Sequence, residues 1–489
     1  MRVAVRSSLS IAFAALLSVP PAFASSGSAL IEALVAALNQ GDEAGLRAFA
    51  EQHASKDVPA AERAQRMKAL SARGAPFKLV RITKDEQHQL RGTLSDKEGQ
   101  ILGFVLELTS DAPPRLARMQ LGPPGLADDR PAKDYVAGFK DLNTFAAELA
   151  KDTQSPGLTL AAIREGKLET AVAGVRELGK PQKVEAGDPF SVGSIGKPIC
   201  STVIGRLYEQ GKLRFEMTLK EALPGVKMLP AYEVITLEQL MHHRGGVPED
   251  GGFRKPQIDA IVGDAKTPVQ MRVRYLENLL ARAPIARPGE RFAYSNAGYA
   301  LLSRAAELAA GKLYEDLVRD LVFKPLGLSR SFIGTSSLPD GVPMGHVPGP
   351  EGLRPVQFRG PLEAIFAGAG GGIYMSAADL VTFGQAHLEG LRGKDGLLKA
   401  STVERLHRGE EEEAGRPGAR YAAGWGLHGA PGVETWHGHN GSNGTFRAEL
   451  AIFPKAGLVV AGLVNRGGES EPAPGLIAVL TLGRLYAKP

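Results

Sequence analysis

The 489-residue sequence contains one cysteine, Cys200, so no disulfide can form within the chain, although an exported protein could use one. Cys200 lies in the apolar helical run ICSTVIGRLYEQGKL and is expected in the core, where a free thiol packs as a small hydrophobe. After the first 24 residues no apolar stretch approaches the roughly 20 residues that a spanning helix needs, which argues against an integral membrane span. Charge of one sign is scarce as well. The formal net charge of +5 falls to +3 without Arg2 and Arg6, and the remaining lysines and arginines are scattered along the chain. A nucleic-acid partner calls for a basic patch or stripe and is not expected. There is no internal repeat, and the short acidic run Glu410 to Glu413 reads as a solvated loop. No serine sits in a G-x-S-x-G elbow, which excludes an α/β-hydrolase. His242 with His243, and His437 with His439, lack a carboxylate or cysteine at zinc-site spacing, so neither a metal nor another cofactor is expected.

What is present is ordinary globular material, 43% apolar and 23% charged, of a length that suggests two or three domain-sized units. Residues 1–24 read as a cleavable signal peptide: Arg2 and Arg6 lead, SLSIAFAALLSVP follows, and Ala22-Phe23-Ala24 precedes Ser25 as a small-x-small cleavage site. The expected location is therefore periplasmic or secreted. From Ser28, two helical apolar stripes break at residues 39–42, a third helix follows in AAERAQRMKALSARG, and the period then changes. FKLVRIT, HQLRGTL, QILGFVLEL and RLARMQL read as strands, with a hairpin turn at residues 95–99. Three helices followed by a meander predict a small α+β accessory domain over residues 28–121. It resembles the cone-shaped domains related to nuclear transport factor 2, and its His53 and His88 stand alone. A stiff connector, GPPGLADDRPAK, marks residues 122–133 as a linker. Beyond it, residues 134–487 open with a helix over 133–152 and two strands, LTLAAIREG and KLETAVAGV.

The chemistry concentrates in three later stretches. SVGSIGKPIC places Ser194 and Lys197 three residues apart at the start of a helix, and the sequence holds no second S-x-x-K. At that spacing the two side chains share a face about 5 to 6 Å apart at Cβ, so the lysine amine can reach the serine hydroxyl. Serine needs a base to become a nucleophile, and lysine serves only if burial or a nearby cation depresses its pKa. About one hundred residues on, the only Y-x-N of the chain puts Tyr294, Ser295 and Asn296 in a turn before an amphipathic helix. A tyrosine hydroxyl beside a lysine can exchange protons, and an asparagine amide can orient the lysine or bind a carbonyl. The stretch WHGHNGSNGTFRAELAIFP then runs through His439, Asn440 and Gly441 into a strand, with glycines that let a substrate backbone lie close.

In order and context, SIGK, YSN and HNG resemble the three motifs of the serine β-lactamase and penicillin-binding-protein family. The closest likeness is to its class C-like branch, with carboxylesterases, D-aminopeptidases and D-alanyl-D-alanine carboxypeptidases. ITLEQLMHHRGGVP, GAGGGIYMSAADLVTFG and YAAGWGL are similar to connecting stretches of that family. The resemblance implies a β-lactamase/transpeptidase-like α+β fold, in which an antiparallel five-stranded sheet is flanked by helices and an all-helical subdomain carries the Y-x-N turn. It also implies Ser194 as nucleophile, Lys197 as its activating partner and Tyr294 as proton shuttle. Asn296 would bind Lys197 and the acyl group, His439 would stand beside Tyr294, and Gly441 and Ser442 would line the substrate. The backbone N–H groups of Ser194 and Ser442 would form an oxyanion hole.

His439 departs from the family pattern, which has lysine there in β-lactamases and most penicillin-binding proteins. Histidine is largely uncharged at neutral pH, so a fixed cation for a substrate carboxylate is missing. Arg244-Gly245-Gly246 departs where threonine-serine-glycine is frequent, and this loop reads as structural. The resulting expectation is an exported serine hydrolase acting through an acyl-enzyme on small-molecule esters, amides or D-amino-acid peptides. A true β-lactamase, a D,D-carboxypeptidase and an inactive relative that binds cell-wall fragments or a protein partner stay open. Oligomeric state is not legible.

Overall fold

The computed structural model describes residues 26–86, 88–97, 101–111, 113–122, 133–253, 255–334, 338–349, 352–357, 360–409, 420–468 and 473–488. The leader expected at 1–24, the connector expected at 122–133 apart from its two end residues, and the acidic run 410–413 lie outside the described residues. The chain divides into two compact units, residues 1–131 and 132–489.

In the first unit, α1 (Ser26–Gln40), α2 (Glu43–His53) and α3 (Ala60–Gly74) precede an antiparallel meander of β1 (Lys78–Glu86), β2 (Gln89–Ser95), β3 (Ile101–Leu108) and β4 (Leu116–Gly122). Asp42 ends the gap between the first two helices by accepting the Gly45 N–H at 2.8 Å, an N-cap that an aspartate at that place favours. Ile31, Leu34 and Leu38 form the buried stripe of α1, and Leu90, Phe104 and Leu106 meet it from the sheet.

The second unit is built on a seven-stranded antiparallel sheet, with a two-stranded and a three-stranded sheet besides. The elements that position the sheet and the site are, in chain order, first α4 (Leu142–Asp152), β5 (Gly157–Arg164), β6 (Lys167–Gly174) and α5 (Gly196–Glu209). Next come α6 (Leu237–Met241), α7 (Asn296–Ala310) and α8 (Ala377–Leu391), then β7 (Arg420–Tyr421), β8 (Gly426–Ala430), β9 (Val433–Ser442), β10 (Arg447–Phe453), β11 (Leu458–Val464) and α9 (Pro474–Tyr486). The strand order is β7-β8-β9-β10-β11-β5-β6. The sheet therefore has seven strands where five are implied, because the short β7 and β8 extend it beyond β9. The helix expected over 133–152 begins only at Leu142: Asp141 takes an extended backbone and caps the helix through the Thr144 N–H at 2.9 Å.

Side chains alternate across the sheet, so its two faces carry separate cores. Ala451, Phe453 and Val460 face the terminal helices α4 and α9, packing with Phe145, Leu149, Val479 and Leu482. Leu450, Ile452 and Val459 face the other way, into the larger core with Ile199 and Val203 of α5 and with Leu380 and Phe383 of α8. Cys200 lies in that larger core with no exposed surface, and burial pushes its thiol up to about 12. The described residues between 219 and 323 form helices and turns without a named strand. There the guanidinium of Arg272, fully buried, pairs with Glu307 at 2.6 Å and donates to the Ala364 carbonyl at 2.6 Å.

Candidate active site

Ser194 stands on a short 3-10 turn, Gly193–Ile195, that feeds directly into α5. Gly193 has φ +49, and a Cβ there would strike the backbone of Ser442, so glycine alone lets the turn close on the end of β9. Gly441 is bound the same way from the opposite side, since its Cβ would collide with the Val192 carbonyl and stand 2.8 Å from the Ser194 nitrogen. Residues 192–194 and 441–442 thus interlock although they are distant in the chain.

Lys197 lies one helical turn beyond Ser194 and is completely buried. Its Nζ donates to Ser194 Oγ at 3.1 Å and to Asn296 Oδ1 at 2.6 Å, with the Ala369 carbonyl at 3.5 Å. The amine also sits 4.5 Å from the centre of the Tyr294 ring. Burial disfavours the ammonium and lowers the Lys197 pKa to about 7, against the pull of the Asp250 carboxylate, which raises it. Half of the amine is then free base near neutral pH.

Asn296 is held by its helix start. Ser295 caps α7, accepting the Gly298 N–H at 2.9 Å while its hydroxyl donates to the Pro248 carbonyl at 2.8 Å. That leaves the Asn296 side chain facing Lys197, and its Nδ2 donates to Asp250 Oδ1 at 2.9 Å. The polar line Asp250, Asn296, Lys197, Ser194 is therefore continuous.

Tyr294, half-buried, packs its ring 4.3 Å from the ring of His243 and 6.4 Å from that of His439. The protonation of both imidazoles follows from their partners. The Ser295 N–H, 3.0 Å from His243 Nδ1, can only donate, so His243 carries its proton on Nε2. The Asn440 carbonyl, 2.5 Å from His439 Nδ1, can only accept, so His439 carries its proton on Nδ1. The Tyr421 hydroxyl bridges the two, accepting from His243 Nε2 at 3.3 Å and donating to His439 Nε2 at 2.9 Å. Burial first, and Lys197 second, hold the His439 pKa down at about 3. His439 is thus a neutral side chain, 5% exposed, at the position where the family resemblance implies lysine in β-lactamases.

Ser194, Tyr294, His439, Gly441 and Ser442 share one cavity of about 440 Å³. The structure brings every expected site residue together there or, for Lys197 and Asn296, immediately behind it. His243, Asp250 and Tyr421 were not expected. Two of them flank the loop read as structural: His243 directly precedes Arg244, and Asp250 lies in the turn over 249–252 that follows Gly246. Of the other two paired histidines, His242 and His437, the latter bonds His407 at 3.0 Å. Among the described residues no three histidine, cysteine or carboxylate side chains converge as metal ligands would.

A protein-family model described as Beta-lactamase matches residues 142–482, more than half of the chain. The chain belongs to the Beta-lactamase family. This is a family of serine hydrolases, and the match spans the whole sheet and all three motifs. Among individual relatives, Penicillin-binding protein 4 of Amycolatopsis lactamdurans is 28% identical over 64% of this chain and 81% of its own length. Two further curated relatives are matched over only 41% and 56% of their lengths. Among solved structures, an octameric penicillin-binding protein homologue from Pyrococcus abyssi is 27% identical with a TM-score of 0.57, over 69% of this chain and 75% of that one. A D-stereospecific amidohydrolase from Streptomyces sp. is 25% identical with a TM-score of 0.55, over 68% of this chain and 97% of that one.

Proposed function

We propose that this Beta-lactamase family member is an exported hydrolase that cleaves small esters or amides, including D-amino-acid amides, through an acyl-enzyme on Ser194. The observation that carries the reading is the buried Lys197 amine, hydrogen-bonded to Ser194 at 3.1 Å with its pKa lowered to about 7. Such an amine can take the serine proton at neutral pH, as an amine in water cannot. In this reading Ser194 Oγ attacks the scissile carbonyl while Lys197 accepts its proton. Tyr294 passes a proton to the leaving group, and Asn296, tethered by Asp250, holds Lys197 in line. The backbone N–H groups of Ser194 and Ser442 stabilise the oxyanion, and water then releases the acyl group by the same route.

Neutral His439 supports esters and amides that carry no carboxylate over β-lactams, whose carboxylate calls for a cation at that position. The likeness to a D-stereospecific amidohydrolase over nearly all of that chain supports the amide branch. Residues 1–24 are proposed as the export signal, residues 28–121 as an accessory domain joined through 122–133, and 134–487 as the hydrolase domain. The test is hydrolysis of a p-nitrophenyl butyrate series beside a chromogenic cephalosporin by the mature protein and by Ser194→Ala. Serine-dependent ester turnover with little cephalosporin cleavage is expected. Lys197→Ala and Tyr294→Phe should each lower turnover at least ~100-fold, the usual size of a general acid–base contribution. Fast cephalosporin turnover would overturn the reading of His439, and near-normal rates in either variant would overturn that residue's role.

A further inference from the structure

The candidate cavity does not end at the serine. It passes the edge of β9 and reaches Glu449 on β10, whose Cα is the register partner of Asn440. Both side chains point to the face that carries α9, where a Cβ added at Gly475 would strike the Glu449 Cβ. Glu449 is 8% exposed, yet among the described residues its carboxyl has no hydrogen bond and no ion pair.

That isolation sets it apart from the buried acids Asp188, Glu307, Asp379 and Glu434. Asp188 pairs with Arg176 at 2.6 Å and Glu307 with Arg272 at 2.6 Å. Asp379 accepts the Arg330 N–H at 2.8 Å, and Glu434 accepts the Lys455 N–H at 3.0 Å. A buried carboxyl left without a donor is costly to fold around, and its small exposed remainder opens into the cavity. Burial pushes the Glu449 carboxyl up to about 8, and Arg447 on the same strand pulls the other way. A group so placed has a vacant acceptor site of high electrostatic demand. Asn440 beside it offers an amide oxygen. Arg420 and Arg447 also line the cavity, and a cation brought against Glu449 favours its ionised form.

We propose that Glu449 is the anchor for a primary ammonium group on the substrate, so that the hydrolase prefers esters or amides carrying a protonated amine. This rests on the reading of Ser194 as the nucleophile, because it assumes that the ligand in the cavity is the substrate. No covalent step is added: the carboxylate and Asn440 accept hydrogen bonds from the ammonium and fix the substrate along β9.

The test compares kcat/KM for matched pairs, p-nitrophenyl 6-aminohexanoate against hexanoate and D-alanyl p-nitroanilide against its N-acetyl form, in the native protein and in Glu449→Gln. A charge-assisted hydrogen bond lost should appear as roughly a 10-fold or greater fall for the amine-bearing member of at least one pair, with the uncharged member within about 2-fold. Absence of any amine preference in the native protein, or an equal fall for both members, overturns the proposal. In parallel, calorimetric binding of 6-aminohexanamide against hexanamide is measured on Ser194→Ala with and without Glu449→Gln. If no substrate is cleaved, the hydrolase reading fails, and the binding comparison still decides this one: an ammonium-selective affinity abolished by Glu449→Gln supports it, and equal affinities overturn it. Glu449→Gln removes an unpaired buried carboxyl and should melt no lower than the native protein. Should it fail to fold, Glu449→Met, similar in volume and uncharged, carries the same comparison.

Discussion

The depressed pKa of Lys197 makes a quantitative demand on the pH dependence of both rate and stability. Burial moves it from 10.5 to about 7. At about 1.4 kcal/mol per pH unit, that difference corresponds to about 5 kcal/mol of penalty on the ammonium form in the folded state. In water at pH 7 only about one lysine in 2,500 is free base, so burial supplies roughly a thousandfold more of the reactive form. The proposed base is the neutral amine. The kcat/KM for p-nitrophenyl butyrate should therefore rise nearly 10-fold per pH unit from pH 5, bend near 7 and level above it, a total of ~100-fold. Stability has its own signature. Because the folded pKa lies below the unfolded one, the unfolded chain binds more protons between about pH 7 and 10.5, and stability should rise with pH across that window. Lys197→Met, which removes the amine, should accordingly gain stability relative to the native protein at pH 6.5, and the gain should shrink as the pH approaches 10. Denaturant unfolding at several pH values reads this directly. A rate profile flat from pH 5 to 9, or a stability difference independent of pH, would refute the assignment.

Three further outcomes follow from the neighbours of that amine and from the core. Asp250→Asn removes the leading charge that raises the Lys197 pKa and should move the acid limb of the rate profile to lower pH; a limb that stays in place contradicts the coupling. Tyr421→Phe leaves buried His439 Nε2 without its donor and His243 Nε2–H without its acceptor, and should cost about 1–3 kcal/mol in denaturant unfolding. Unchanged stability would show that the hydroxyl does not bridge the two rings. Arg272→Ala removes the fully buried partner of Glu307, leaves that carboxylate to Arg304 at 3.0 Å, and should cost about 1–3 kcal/mol by the same measurement, whereas an unchanged stability would mean that Arg304 alone satisfies the carboxylate.

The parts of this fold that read correctly from letters are those whose determinants are local. The third helix was expected over AAERAQRMKALSARG and spans Ala60–Gly74, and the four strands of the first unit lie within a residue or so of their expected starts. The Ser194 and Lys197 pairing is also local, since one helical turn brings the two side chains within 3.1 Å. The expected helix over 133–152 shortened because Asp141 caps it from outside, a choice that its neighbours Asn143 and Thr144 make possible but that apolar periodicity does not register. His243, Asp250 and Tyr421 escaped because their partners lie far along the chain: 52 residues for His243 to Ser295, 46 for Asp250 to Asn296 and 178 for Tyr421 to His243. No spacing rule spans such distances.

The sequence by itself determined the family likeness, the order of the three motifs and the identity of the groups that could react, because motifs are short and helical geometry is set within a few residues. Tertiary structure alone decided how those groups behave. The pKa of about 7 at Lys197, of about 3 at His439 and of about 8 at Glu449 all arise chiefly from desolvation. Desolvation depends on which distant segments close over a side chain, and that is a property of packing that the order of residues does not display.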